Sequence, residues 1–141
     1  MRLAPPAALR QERVDQLRRE RVTAPVLRAK FPTLEQLRIE LKFEAPNTAA
    51  PTPQSHELYP PARAFFEFPC PYWDCDGRFD LGGAVRSALA DATHRTEGVL
   101  ECRGSRIGDR ASRRPCQLRV SYEVTATFQQ KSERDLPEAP R

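Results

Sequence analysis

Four cysteines, arranged as two pairs, are the residues of this chain with the most distinctive chemistry. Cys70 and Cys75 close a tight CPYWDC turn, and Cys102 and Cys116 frame a long arginine-rich loop. Thiolates are good ligands for zinc, and four of them complete the tetrahedral coordination of a structural zinc site. The cysteines therefore predict a closed metal site, and zinc is the ion that we expect there.

The expected compartment decides between metal binding and disulfide formation. The N-terminal apolar stretch is broken by Pro5 and Pro6 and ends at Arg10, too early for a secretory signal. No apolar run approaches the roughly 18 residues needed to span a bilayer. We therefore expect a cytoplasmic, reduced protein, in which disulfides are disfavoured. Paired disulfides, free buried cysteines and an iron–sulfur cluster remain as alternatives.

The elements that position the cysteines are one short helix and several strands. Residues 37–44 and 115–128 place apolar side chains at every second position, which is the period of a half-buried strand. Residues 62–69 and 98–103 predict two further strands, and residues 81–92 suit a short helix. Together with an N-terminal helix, this order predicts an α+β fold with a small antiparallel sheet.

The N-terminal helix is predicted over residues 7–24, whose composition favours helix. Pro25 ends it, because proline disfavours helical geometry in the residue before it. A thin apolar stripe runs between five arginines and consists of Leu9, Val14, Leu17 and Val22. Such a helix either lies on the domain through this stripe or serves as an arm that binds a partner or nucleic acid.

The chain is expected to divide into three parts. Residues 1–30 form a basic helical arm, residues 31–128 a zinc-stabilised domain, and residues 129–141 a disordered tail. Within the domain, residues 45–61 contain five prolines among small and polar residues, which predicts a mobile linker. The arm carries eight Arg or Lys against three Asp or Glu, so most of the net charge of +4 lies outside the domain.

Side-chain direction brings the second pair of cysteines together. Leu100 and Cys102 share one face of their strand, and Cys116 and Leu118 share one face of theirs. If the two strands form a hairpin, Cys102 can lie opposite Cys116, at the Cβ spacing of about 4.5–5.5 Å of cross-strand neighbours. Over residues 66–122 the chain loosely resembles zinc-ribbon proteins, in which two cysteine-bearing turns clamp one zinc.

The resemblance implies a zinc held by Cys70, Cys75, Cys102 and Cys116. It departs from the usual C-x2-C knuckles, because the spacings here are C-x4-C and C-x13-C. The second pair is therefore expected at the base of a hairpin. His94 is an alternative ligand, although an imidazole at the C-terminal end of a helix would explain it as well.

Catalytic patterns are missing from the sequence. His56 and His94 are its two histidines, and it has neither a glycine-rich phosphate loop nor a nucleophile elbow. Four thiolates also leave a zinc ion without the open position that catalysis needs. We therefore expect a non-enzymatic binding module.

Two classes of partner fit the expected surface. Tyr72 and Trp73 lie at the tip of the cysteine turn and are residue types that often dominate protein interfaces, which favours a protein partner. Trp73 could instead fold back and shield the metal site. The alternative partner is RNA or DNA, held by the basic helix and by the arginines of loop 103–114, namely Arg103, Arg106, Arg110, Arg113 and Arg114. The near-neutral domain favours the protein partner.

Overall fold

The computed structural model describes residues 6–46, 49–106 and 114–129, and the fold is α+β, as predicted. Its helices are α1 (Pro6–Thr23), α2 (Leu27–Lys30) and α3 (Gly82–Ala90). Its strands are β1 (Leu34–Glu44), β2 (Gln54–Leu58), β3 (Glu67–Pro69), β4 (Arg78–Asp80), β5 (Arg95–Glu101), β6 (Ser105–Arg106), β7 (Arg114–Pro115) and β8 (Arg119–Phe128). No helix in these three ranges is long and apolar enough to cross a membrane.

The main sheet is antiparallel, with its four strands in the order β2-β1-β8-β5. The alternation that predicts β1 and β8 from sequence also sets their pairing. Ile39 lies opposite Val124 and Phe43 opposite Val120, and all four side chains are buried. Because side chains alternate between the faces of a strand, this pairing places one apolar face against the core.

The opposite face of the sheet is open to solvent and carries ion pairs. Arg38 pairs with Glu57 across β1 and β2, and Arg95 pairs with Glu123 across β5 and β8. These side chains are about half exposed, so the pairs contribute little stability and mainly keep this face polar.

The linker interpretation of residues 45–61 is wrong for Gln54–Leu58, which form the edge strand β2 beside β1. Gln54, His56 and Leu58 alternate toward the inner face. Two of these three inward side chains are polar, so the segment lacks the apolar alternation that identifies a strand from sequence. Its flanking prolines are compatible with an edge position, where one side of the backbone forms no hydrogen bonds within the sheet.

The strand predicted over residues 62–69 is shorter in the structure, where β3 covers Glu67–Pro69 and pairs with β4. The residues before it bond instead to the chain that follows α1. Leu27 donates its N–H to the carbonyl of Ala62, and Ala64 donates to the carbonyl of Pro25. These bonds connect the N-terminal helix to the entrance of β3. The expected tail beyond Gln129 lies outside the described residues.

Helix α1 packs on the domain through the turn that carries the first two cysteines. Leu17 is 2% exposed and forms its main apolar anchor. Arg10 donates to the carbonyl of Cys70 at 3.1 Å, and Arg13 donates to the carbonyl of Asp76 at 2.6 Å. The helix is therefore held by one buried side chain and by hydrogen bonds to the backbone of the cysteine turn.

This packing makes Leu17 the residue on which docking of α1 depends. Leu17→Ala is expected to lower the free energy of unfolding by about 2–4 kcal/mol, because it leaves a cavity under the helix. Val22 lies on the same helix and is 60% exposed. Val22→Ala is the matched control and should change the free energy by less than about 0.5 kcal/mol. Urea unfolding followed by circular dichroism measures both, and equal small effects would contradict the docked arrangement.

Candidate metal centre

The four cysteines meet in one buried cluster. Their sulfur atoms all lie within 4.8 Å of one another, and every cysteine is at most 5% exposed. The Sγ atoms of Cys70 and Cys116 are 3.9 Å apart, and those of Cys75 and Cys102 are 3.6 Å apart. The cluster can therefore hold a metal ion, as the sequence predicts.

These distances fit one ion with tetrahedral coordination. Metal–sulfur bonds of roughly 2.3 Å in a regular tetrahedron place neighbouring sulfurs about 3.8 Å apart. The measured separations of 3.6 and 3.9 Å lie on either side of this value. A disulfide requires sulfurs about 2.05 Å apart. These two separations thus match a single tetrahedral ion, and all four sulfurs lie within 4.8 Å of one another.

The cysteines reach this point from the ends of four strands. Cys70 follows β3 and Cys75 precedes β4, so the CPYWDC turn joins these two strands, which form a separate two-stranded sheet, the small sheet. Cys102 follows β5 and Cys116 lies shortly before β8, so the second pair lies at one end of the main sheet. The site therefore connects the β3–β4 hairpin to the main sheet.

The hairpin prediction is correct in strand pairing and wrong in register by two residues. Leu100 lies opposite Val120 rather than Leu118. The N–H of Cys102 accordingly donates to the carbonyl of Leu118, and the N–H of Cys116 donates to the carbonyl of Gly104. A shift of two residues keeps every side chain on its face, so the apolar pattern cannot distinguish the two registers.

Two Cys-x-Gly turns form the half of the site around Cys75 and Cys102. In each, the glycine N–H donates to the cysteine sulfur two residues earlier, at 3.3 Å from Gly77 to Cys75 and at 3.4 Å from Gly104 to Cys102. Such donors offset negative charge on a thiolate. The Cys-x-Gly pattern occurs twice in the sequence. It indicates these N–H to sulfur bonds, which the spacing between the cysteines alone does not reveal.

The two glycines touch each other through their backbones. A Cβ atom on Gly104 would lie 2.4 Å from both N and Cα of Gly77, and a Cβ on Gly77 would lie 2.3 Å from the sulfur of Cys102. A backbone atom cannot rotate aside as a flexible side chain can. Both positions therefore require glycine for the close approach of the two turns.

The thiols are too close together to titrate independently. Hydrogen bonding with Cys102 is the largest influence on the pKa of Cys70 and of Cys75 and raises both, and burial raises them further. Hydrogen bonding with Cys102 lowers the pKa of Cys116. A cluster of this kind shares its protons, whereas a divalent cation among the sulfurs favours the thiolate form of all four.

A buried ion pair supports the tip of the cysteine turn. The Asp74 side chain is 1% exposed and accepts a hydrogen bond from Arg106 at 2.8 Å. The Arg106 guanidinium also lies over the Tyr72 ring, 3.8 Å from its centroid. Two of the predicted binding residues, Tyr72 and Arg106, thus contact each other and hold the turn against β6.

The remaining predicted binding residues lie in different settings. Trp73 is 51% exposed at the tip of the turn. Arg103 and Arg114 are exposed near the same end of the molecule. Arg110 and Arg113 lie outside the described residues.

Neither histidine belongs to the cysteine cluster. The His94 ring packs on Phe128, with centroids 4.5 Å apart, and its Nδ1 is buried without a hydrogen-bond partner among the described residues. The His56 ring stacks on Phe68 at 4.3 Å. The four thiols are therefore the ligand set that the described residues provide.

Comparison with known proteins found no match: no family model, no curated protein and no solved structure is similar to this chain. The class of protein must therefore be inferred from the fold and the cysteine cluster themselves.

The glycine contact generates a test of the site. Gly104→Ala is expected to lower the free energy of unfolding by more than about 2 kcal/mol and to weaken metal retention, because the two turns must separate. Gly83→Ala is the matched control, since its Cβ would lie 3.8 Å from the nearest atom, in the Arg86 side chain. Alanine there should be neutral or stabilising by up to about 1 kcal/mol. Urea unfolding and metal transfer to a chromogenic chelator measure both effects, and equal behaviour would show that the contact is dispensable.

Proposed function

We propose that the chain is a non-enzymatic binding module in which the four cysteines hold a structural zinc ion. The observation that carries this proposal is the set of four buried thiols whose sulfurs all lie within 4.8 Å of one another. Zinc is the ion that such all-thiolate, four-coordinate sites most often hold. Sulfurs that are no more than 4.8 Å apart enclose space for one ion and not for a cluster of several irons.

The proposed role is structural because the ligand set is complete. A catalytic zinc keeps a position for water or substrate, and four cysteine ligands occupy all positions of a tetrahedral ion. Both histidines are engaged in ring packing away from the sulfurs. The zinc would instead connect the turn between β3 and β4 to the end of the main sheet and make the turn rigid.

The proposed binding surface is the tip of the cysteine turn, and the proposed partner is a cytoplasmic protein. Trp73 is half exposed, while its neighbour Tyr72 is fixed by Arg106 and the buried Asp74. A large aromatic side chain on a rigid support loses little conformational entropy when it binds. Exposed tryptophan in such a position is typical of an interface anchor.

Nucleic acid is the second candidate partner, and exposed arginines near the same end favour it. Arg103 lies just before β6 and Arg114 begins β7, and both are exposed. Arg106 is less suited, because it already bonds to Asp74 and is 29% exposed. A variant with alanine at Arg103 and Arg114 tests this candidate on an immobilised oligonucleotide. Retention that depends on salt and on these two arginines would favour nucleic acid over a protein partner.

Zinc is expected to copurify with the reduced protein at about one equivalent per chain. Cys116→Ser should lose this zinc and unfold or strongly destabilise the domain, since structural zinc contributes folding free energy directly. Gln117→Ala changes an exposed neighbour and should retain both zinc and stability. Elemental analysis and thermal denaturation measure the outcome. Iron in place of zinc, or only traces of metal, would contradict the zinc assignment.

Trp73→Ala is expected to weaken capture of the protein partner by about 2 kcal/mol or more, as for an interface anchor. Because Trp73 is half exposed, the substitution should leave the melting temperature nearly unchanged. Val99→Ala removes another half-exposed apolar side chain, from β5, and should leave capture unchanged. A pull-down from host extract compares the three proteins. Loss of stability in Trp73→Ala with capture intact would place the binding surface elsewhere.

A further inference from the structure

A cleft of about 380 Å³ lies between α1, β2 and the chain that enters β3. Its apolar wall includes Leu58, Phe65 and Phe68, and its polar wall includes His56 and three arginines, Arg10, Arg21 and Arg63. The protein-binding surface proposed above, at the tip of the cysteine turn, does not use these residues.

The aromatic groups of the cleft are held in place by their neighbours. The His56 ring stacks on Phe68, which is 6% exposed, with an angle of 30° between the ring planes. His56 also bonds to the side chain of Gln54 at 3.0 Å. The Phe65 ring lies under the Arg21 guanidinium, 5.4 Å from its centroid. These contacts give the cleft flat apolar surfaces next to positive charge.

Among the described residues, no carboxylate neutralises the arginines of the cleft. Arg10 donates to the Cys70 carbonyl and Arg63 to the Ala24 carbonyl, and Arg21 lies over Phe65. None of the three has a carboxylate within ion-pair distance in the described part of the chain. The structure elsewhere pairs arginine with Asp or Glu, at Arg18, Arg38, Arg78, Arg95, Arg106 and Arg119. The residues that line the cleft also include no Asp or Glu.

We propose that this cleft binds a small organic anion of the aromatic carboxylate class. The carboxylate would accept hydrogen bonds from the terminal nitrogens of Arg10 and Arg21, and guanidinium groups suit this geometry. The ring would lie against Phe65 and the His56–Phe68 stack, where apolar area is removed from water. This site goes beyond the proposed binding module and does not depend on a partner at Trp73.

Positive charge in the cleft comes from the arginines rather than from histidine. Burial lowers the pKa of His56, and the nearby charge of Arg21 lowers it further. His56 therefore remains neutral near pH 7 and can offer its ring as an apolar surface.

Titration of the full-length, metal-replete protein with 1-naphthoate tests the proposal by calorimetry and by amide chemical shifts. We expect saturable binding of one ligand, with shifts at residues 54–58 and 63–69. The uncharged analogue 1-naphthamide should bind at least about tenfold more weakly than 1-naphthoate, because it cannot form charge-assisted hydrogen bonds. Inorganic phosphate should also bind more weakly, because it lacks the ring. No saturation by about 10 mM 1-naphthoate would overturn the proposal.

Two variants on α1 test whether binding depends on the charge of Arg21 or only on an intact fold. Arg21→Gln is expected to weaken 1-naphthoate binding about tenfold. Arg18→Gln is the matched control, since Arg18 is exposed on the same helix and pairs with Asp15. Phe65→Ala should weaken both naphthyl ligands. Equal binding of 1-naphthoate by Arg21→Gln and Arg18→Gln would overturn the assigned carboxylate site. Metal content and Trp73-dependent capture, measured on the same variants, show separately whether the binding module is intact.

Discussion

The backbone contact between Gly77 and Gly104 is the constraint on which the metal centre and its surroundings depend. It allows two Cys-x-Gly turns from different sheets to approach until the sulfurs of Cys75 and Cys102 are 3.6 Å apart. Cys70, at the start of the CPYWDC turn, and Cys116, shortly before β8, then reach the same point. A side chain at either glycine would separate the turns, because one at Gly104 would meet the Gly77 backbone and one at Gly77 would meet the Cys102 sulfur.

The position of the cysteine cluster matters for folding because the β3–β4 hairpin cannot be stable alone. Strands β3 and β4 share three residue pairs, and a two-stranded hairpin is marginal even when longer. The thiols connect this hairpin to the main sheet, and α1 then rests on the same turn through hydrogen bonds to the carbonyls of Cys70 and Asp76. One centre therefore positions the cysteine turn, the helix and the cleft beside the helix.

Much of this arrangement follows from local patterns in the sequence. The alternation in β1 and β8 predicts their inward faces, and the four cysteines predict their own cluster. The strand β2 is not predictable in this way, because Gln54 and His56 face inward and interrupt the apolar alternation. The register of β5 on β8 is not predictable either, since a two-residue shift preserves the apolar pattern. Each Cys-x-Gly turn is visible in the sequence, but no local pattern reports that the two glycines of these distant turns touch each other.

The arginines show why composition alone does not identify a binding surface. Twenty of the 23 basic residues are arginine, so clusters arise in any part of this sequence. The structure distinguishes them by their partners. Arg106, in the arginine-rich loop, is bonded to a buried carboxylate and stacked on Tyr72, so much of its charge is compensated internally. The arginines of the cleft have carbonyl and aromatic partners, and no described carboxylate compensates their positive charge, which is thus accessible to a ligand anion.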